Sequence, residues 1–383
     1  MDGSSTAVRF GVVGIGAMGA SHARWLRDGA VPRARLAAVA DRDPARCAEF
    51  AEVPRFADAG ALIRSGAVDA IVIATPHFDH VAVGIDALER GLHVLVEKPI
   101  APHVADCRRL MDAYARRPDQ RQRFGVMFNT RTVGRYQLVK RLIDDGELGA
   151  IQRIAWMVTD WFRSDAYYAS AGWRGTWRGE GGGLLVNQAP HHLDLLQWLF
   201  GMPVSVRADC GFGRWHPIEV EDEVAAHLVF PGGATGAFVA STGEAPGSNR
   251  LEIAAERGRL VVDGESVGWL RNAVPSGEFR RTSRDYWARP ATEAVALEVP
   301  AGGGEHVRIT ANFVDAILDG AALIAPAEEG VRSVELANAM ILSALTDRTV
   351  RLPIDAGDYE RRLHELIARA DRDAAARRAA VAS

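Results

Sequence analysis

The spacing of hydrophobic positions changes partway along this chain, and the change divides it. Over residues 7 to about 128, short apolar runs at 8–13, 36–40, 70–74, 93–96 and 124–128 alternate with other segments. Those segments, at 17–27, 45–51, 81–89 and 104–114, carry apolar residues at helical spacing or open on a proline. Runs that are apolar on both faces and separated by helices predict a parallel sheet covered on either side. After about residue 130 the pattern is different. A predicted helix over 133–144 closes at Gly146, and a long alternating strand follows over 151–162. A Gly/Trp-rich stretch at 171–183 leads into a helix that ends at Gly201.

Strands then succeed one another at 204–212, 224–230, 234–241, 251–255 and 259–262. Turn signals such as Pro231-Gly232-Gly233 and Arg257-Gly258 join them. Consecutive strands with tight turns predict a large, open, mainly antiparallel sheet, so the second part reads as an α+β domain. Residues 271–305 are polar and rich in Gly and Pro and read as irregular. Helices are predicted at 309–318 and 331–345, and a charged Ala/Arg-rich helix at 357–383. The expected division is 1–129, 130–356 and the C-terminal helix 357–383.

Composition removes several classes of function. The formal charge of −4 gives no electrostatic reason to expect a nucleic-acid or anionic-membrane partner. The three cysteines, Cys47, Cys107 and Cys210, are far apart and form no CxxC pair. Neither a disulfide framework nor a cysteine-based metal site is expected, and no metal is assigned. Residues 1–6 are polar and lack the charged and apolar regions of a secretion signal, and no apolar run reaches membrane-spanning length. A cytoplasmic location is expected.

The first chemical motif is Gly14-Ile15-Gly16-Ala17-Met18-Gly19, a G-x-G-x-x-G between a predicted strand and a predicted helix. The first glycine permits a tight turn, the second lets backbone approach a pyrophosphate, and the third lets helix and strand pack closely. The helix N-terminus adds free N–H groups and partial positive charge. Asp41 ends the second strand 22 residues beyond Gly19, near the spacing of about 20 expected for an acid that binds ribose hydroxyls. A carboxylate there repels a 2′-phosphate and favours NAD; Arg42 beside it keeps NADP as a second candidate. Residues 1–129 therefore read as a Rossmann domain.

Three further blocks resemble the Gfo/Idh/MocA oxidoreductase family. They are Ala74-Thr75-Pro76 with His80, the run from Gly91-Leu92-His93 to Glu97-Lys98-Pro99, and Gly181-Gly182-Gly183 followed by Asn187 and His191-His192-Leu193-Asp194. Gly146-Glu147-Leu148-Gly149 is similar to the family's helix-to-strand corner. The likeness extends over about residues 7–350. It implies hydride transfer between a nicotinamide cofactor and a secondary hydroxyl or ketone of a sugar, cyclitol or sugar derivative. Thr75, Pro76, His80, Glu97 and Lys98 then join Gly14 to Gly19, Asp41 and Arg42 at the cofactor. A homodimer or homotetramer is expected, because an open antiparallel sheet leaves a face uncovered.

Lys98 falls at the end of a predicted parallel strand, where ligands bind in such sheets. An ammonium there stabilises alkoxide character on the substrate oxygen. His191 is the candidate base. Asn187 lies four residues before it, on the same face if the segment is helical, where the inositol dehydrogenase branch carries an aspartate. Pro190 places the helix start near 188–190. Asp194 has two readings, as orienter of His191 or as the partner of an arginine. Tyr168, Trp173 and Arg174 are expected to form a substrate wall with Lys98, Asn187 and His191, since aromatic faces stack on sugar C–H surfaces and arginines bind polar substituents. Trp215-His216 and Glu219 to Asp222 form a further polar cluster, either reaching the pocket or in an exposed loop.

Two alternatives stand beside the dehydrogenase. One is a redox-neutral glycoside-cleaving enzyme with tightly bound NAD. The other is a nucleotide-binding regulator without catalysis, against which the retention of Lys98 and His191 argues.

Overall fold

In a computed structural model of the chain, residues 7–382 are described. The first part builds β1 (Val8–Val13), α1 (Ala17–Arg27), β2 (Ala34–Ala40), β3 (Arg55–Phe56), α2 (Ala59–Arg64), β4 (Ala70–Ile73), α3 (Asp79–Glu89), β5 (His93–Val96), α4 (Val104–Ala115) and β6 (Phe124–Val126). These strands form one six-stranded sheet in the order β3-β2-β1-β4-β5-β6, and every pairing in it is parallel. All four residues of β4 are buried, as are the last three of β5, which is why these strands read as unbroken apolar runs. β1 pairs with β2 on one side and β4 on the other. The order reverses there and opens a crevice at the carboxyl ends of the strands.

The second part contains α5 (Gly134–Asp144), β7 (Ile151–Val158), α6 (Asp165–Ala169), α7 (Trp177–Glu180), α8 (Pro190–Phe200), β8 (Ser205–Phe212), β9 (Glu221–Val229), β10 (Thr235–Ser241), β11 (Asn249–Ala255), β12 (Gly258–Asp263) and β13 (Ser266–Asn272). It continues through α9 (Ser276–Thr282), β14 (Thr292–Val295), α10 (His306–Leu318), α11 (Ala327–Thr346), β15 (Val350–Arg351) and α12 (Ala356–Ala382). Nine strands pair as β14-β13-β12-β11-β7-β10-β9-β8-β15, all antiparallel except β7 with β10. In β7 the side chains of Ile154, Trp156 and Val158 enter the core while Arg153 and Met157 face outward. α11 packs against β8 and α8 on the core side.

The fold differs from expectation in places. Residues 44–50 form a 3₁₀ turn capped by Asp43, which accepts from the Ala45 N–H at 3.0 Å. β3 and α2 occupy a stretch to which no element was assigned. β13 runs into, and α9 and β14 interrupt, the stretch read as irregular. These edge strands bury little beyond Trp269, so they lack an apolar alternation. Among the described residues no helix is long and apolar enough to cross a membrane.

Candidate active site

The crevice at the switch point is a cleft of about 780 Å³ lined from both parts of the chain. Gly14 has φ +86°, and a Cβ there would stand 2.7 Å from the Ala74 carbonyl oxygen. A Cβ on Gly19 would sit 1.8 Å from the Gly14 carbonyl oxygen, so α1 can approach β1 this closely only with glycine at that position. A Cβ on Gly16 would meet nothing within 4 Å, so the second glycine faces open cleft. Ala17 and Met18 line the cleft beside it. Ile15 does not; its side chain is buried, and its N–H donates to Asp41 Oδ2 at 2.7 Å. Asp43 N–H donates to the other oxygen at 2.8 Å, so the carboxylate is held at the end of β2. Arg42 is exposed and lies 3.4 Å from Asp79. Across the cleft, Thr75 and Pro76 follow β4, and Thr75 Oγ1 is buried with no hydrogen-bond partner. A buried hydroxyl without a partner, an open glycine at a helix start and a fixed carboxylate together fit a dinucleotide.

His80 holds the cleft together. Its two ring nitrogens lie 2.9 Å from the carbonyl oxygens of Pro99 and Thr75, joining the loops after β4 and β5 and leaving neither nitrogen for a cofactor. Glu97 is buried and lies 2.8 Å from His22 Nε2. Burial alone pushes this carboxyl up, but the hydrogen bond and charge of His22 override it and bring its pKa to about 2. Glu97 lines the cleft as a fixed anion behind Lys98.

Lys98 projects from the end of β5, and its Nζ donates to the Asn187 carbonyl oxygen at 2.8 Å. Burial pushes the ammonium below its ordinary pKa, against the opposing charges of Glu97 and Glu180. Asn187 belongs to a π-turn over Leu184–Gln188, in which Ala189 N–H reaches back to the Leu184 carbonyl at 2.7 Å. Pro190 has no N–H to continue the ladder, and α8 starts there. The wide turn breaks the helical phase between Asn187 and His191. The expected contact between them is not made: the Asn187 side chain donates to Glu180 and lies 3.5 Å from the Tyr167 hydroxyl.

His191 does not line the cleft. It is partly buried against Phe128, its Nδ1 is sealed without a partner, and burial with the Lys98 charge holds its pKa well below the ordinary value. Asp194 does not orient it. That carboxylate takes the Arg131 guanidinium at 2.7 and 2.6 Å, which settles its two readings. His192 lies in the core, its ring against Trp156 and Trp161.

The cleft wall on the side expected to meet substrate is lined by Trp173, Arg174 and Tyr167, with Lys98 and Asn187. Tyr168 does not contribute: its ring turns inward against His216, and its hydroxyl lies 3.2 Å from Thr242 Oγ1. Tyr167 takes the place expected of it. The Arg174 guanidinium stands 4.4 Å from the Tyr167 ring centre and 4.5 Å from that of Trp173, and donates to the Tyr167 hydroxyl at 2.6 Å. His216 lies 3.0 Å from Asp222 and 2.9 Å from the Arg163 carbonyl, so the second polar cluster braces this wall from behind. Elsewhere, His103, Asp106 and Glu360 are close enough to share a cation, but Arg109 already bridges the two carboxylates.

Sequence reasoning did not single out Glu180, and it took Glu221 only as part of the Glu219 to Asp222 cluster. Glu180 ends α7 directly before the left-handed Gly181, where the helix dipole disfavours an anion; that was the available signal. Glu221 Oε1 accepts from the N–H groups of Gly183 and Leu185, both at 2.9 Å, and fixes the start of the π-turn. Its Oε2 is buried without a partner, and burial raises its pKa to about 7. An acid that holds its proton more tightly folded than unfolded adds stability below its unfolded pKa. That stability is lost as pH rises toward the folded value. Unfolding of the wild type is therefore expected to become easier between about pH 5 and pH 8. Glu221→Gln is expected to remove its share, on the order of 3 kcal/mol. Melting curves at the two pH values check this; an equal fall in both proteins counts against it.

The two parts of the chain match two family models. Residues 8–123 match the model described as an oxidoreductase family with an NAD-binding Rossmann fold, and residues 136–261 match the GFO/IDH/MocA C-terminal domain. An inositol 2-dehydrogenase of Saccharopolyspora erythraea is 40% identical over 147 residues, a local match covering 37% of this chain and 43% of that one. The inositol 2-dehydrogenase of Rhizobium meliloti is 26% identical over 362 residues, covering 90% of this chain and 99% of that one. Among solved structures, the WlbA dehydrogenase of Bordetella pertussis, in complex with NADH and UDP-GlcNAcA, superposes with a TM-score of 0.77. It is 28% identical, and the match covers 91% of this chain and 100% of that one. With a glycine turn, a fixed carboxylate and a strand-end lysine on one cleft, and both halves matched in order, the chain belongs to the Gfo/Idh/MocA family of NAD-binding oxidoreductases.

Proposed function

We propose that this enzyme oxidises a secondary hydroxyl of a sugar or cyclitol, or reduces the corresponding ketone, with NAD as its cofactor. The observation that carries the reading is Lys98: a partly buried ammonium on the cleft wall, held by the Asn187 carbonyl. Gly14, Gly16 and Ala17 hold the pyrophosphate, Asp41 the ribose hydroxyls, and Thr75 and Pro76 the far wall. The bound nicotinamide supplies the hydride acceptor. Lys98 donates a hydrogen bond to the substrate oxygen and stabilises the charge that develops there. Burial lowers the proton affinity of Lys98, so in oxidation its neutral amine takes the hydroxyl proton and stays as the ammonium beside the oxygen; His191, off the cleft wall, takes no step. Trp173 and Tyr167 offer aromatic faces to C–H surfaces, and Arg174 binds a polar substituent.

The named relatives act on inositol or bind a nucleotide sugar, and this supports a polyol-like substrate. A panel of cyclitols, sugars, glycosides and nucleotide sugars with NAD⁺ and NADP⁺ tests the reading. Stoichiometric accumulation of reduced cofactor is expected. Glycoside cleavage without net reduction would point to the redox-neutral alternative.

Asp41→Ala is expected to weaken NAD binding by about tenfold or more, since hydrogen bonds to a charged group are worth roughly 1.5–3 kcal/mol. NADP binding should fall less, because the charge opposing the 2′-phosphate leaves too. Titration with both dinucleotides decides; equal losses would deny Asp41 its ribose role. A homodimer or homotetramer through the outer sheet face, where Met157 lies exposed, belongs to the same reading. A monomeric mass by light scattering counts against it.

A further inference from the structure

Glu180 is 1% exposed. Its Oε2 accepts from the Gly175 N–H at 2.6 Å, and its Oε1 accepts from the side-chain amide of Asn187. Both donors are neutral, and among the described residues Glu180 forms no ion pair. Burying a carboxyl with only neutral donors is costly, and a glutamine would satisfy one of them without the charge. The location gives that charge a use. Asn187 is bound twice: its side chain by Glu180 and its backbone carbonyl by Lys98.

We propose that Glu180 is a positioning residue for the reaction: it holds the Asn187 amide and, through its negative charge, governs how tightly Lys98 keeps its proton. The inference rests on the reading of Lys98 given above. Burial places the Glu180 pKa at about 7, so its charge changes within the working range of such an enzyme. The groups facing it are Arg174, which with Lys98 favours the anion, Glu221, whose carboxyl is near, and His77, whose Nδ1 lies 3.0 Å from the Glu180 carbonyl oxygen. Above neutral pH an ionised Glu180 raises the proton affinity of Lys98; below it, a neutral Glu180 releases that hold.

The chain offers a direct test, because it contains two lysines, Lys98 and Lys140. Protein labelled with ¹³C-lysine therefore shows two ε-methylene resonances, assigned by Lys140→Arg. The Lys98 signal is expected to inflect near neutral pH in the wild type and to lose that inflection in Glu180→Gln. Glu180→Asp, which keeps a carboxylate, should retain an inflection. It also serves as the deciding variant if Glu180→Gln does not fold.

On a polyol oxidised by the wild type, with myo-inositol as first probe, Glu180→Gln should lower kcat about tenfold or more and flatten the neutral limb of its pH profile. The KM for NAD should stay within about twofold. Adding Asn187→Asp to Glu180→Gln exchanges the acid and the amide across their contact, keeps one carboxylate in the pair, and should recover most of the loss. An unchanged Lys98 titration in folded Glu180→Gln overturns the proposal, as does an unchanged pH profile. The resonance experiment needs no turnover. Failure of every polyol would sink the proposed reaction and leave the Glu180–Lys98 linkage to be judged on its own.

Discussion

Lys98→Met is expected to lower kcat by about 10³-fold, the cost of removing one donor from the point where charge develops, and to leave dinucleotide affinity within about twofold. Three features support so large a loss with so narrow an effect. The Nζ faces the cleft at the carboxyl end of a central parallel strand, where ligands of such sheets bind. It is fixed by the Asn187 carbonyl at 2.8 Å, so its direction is set before substrate arrives. Its backbone N–H is separately tied to Glu97 Oε2 at 3.2 Å, so truncating the side chain leaves the strand end in place. Methionine keeps most of the volume and removes the donors. Lys98→Arg should rescue little, because a planar fork does not reproduce a compact ammonium. Steady-state kinetics alongside NADH fluorescence titration separate the effects. Full turnover by Lys98→Met would remove this residue from the chemistry and, with it, the reading of the cleft.

Asp194→Ala is expected to destabilise the protein by about 3–5 kcal/mol, the range for leaving one member of a buried ion pair behind. The Arg131 guanidinium is fully buried and takes Asp194 in a two-point contact, with further bonds to Glu329 and the Ile324 carbonyl. Its flat faces lie toward Phe128 and Trp198, at 5.8 and 5.6 Å from the ring centres. Removing the Asp194 carboxylate leaves the buried cation, between α8, the turn after β6 and the start of α11, with the partly exposed Glu329 as its remaining carboxylate. Thermal unfolding should report the loss. Pairing the change with Arg131→Met should recover much of it, since the buried cation that has lost its two-point partner leaves as well. If Asp194 instead oriented His191, the single variant would lose kcat with its melting point intact, and Arg131→Met would not restore it.

The glycine motif, the apolar runs of the first sheet and Glu97-Lys98-Pro99 were legible in the sequence, because each depends on residues next to one another. A strand buried on both faces has to be apolar throughout, and a turn where a Cβ would stand 2.7 Å from a backbone carbonyl oxygen has to carry glycine. Local spacing likewise placed Asp41 at the end of β2 and Trp173 and Arg174 near the site. It put Tyr168 in the cleft, where the structure has Tyr167. Both lie in the five-residue α6, and the choice is made by His216 and Thr242, distant in sequence, which draw Tyr168 inward.

Nor did spacing reveal the partner of Asn187. A regular helix would have set it over His191, but Pro190 interrupts the hydrogen-bond ladder and the preceding turn widens to a π-turn. The amide is thereby turned toward Glu180. Sequence determined the elements whose requirements are met within a single turn or strand; tertiary structure decided the pairings among buried polar groups. A buried donor must find an acceptor somewhere, and its position in the chain does not say where.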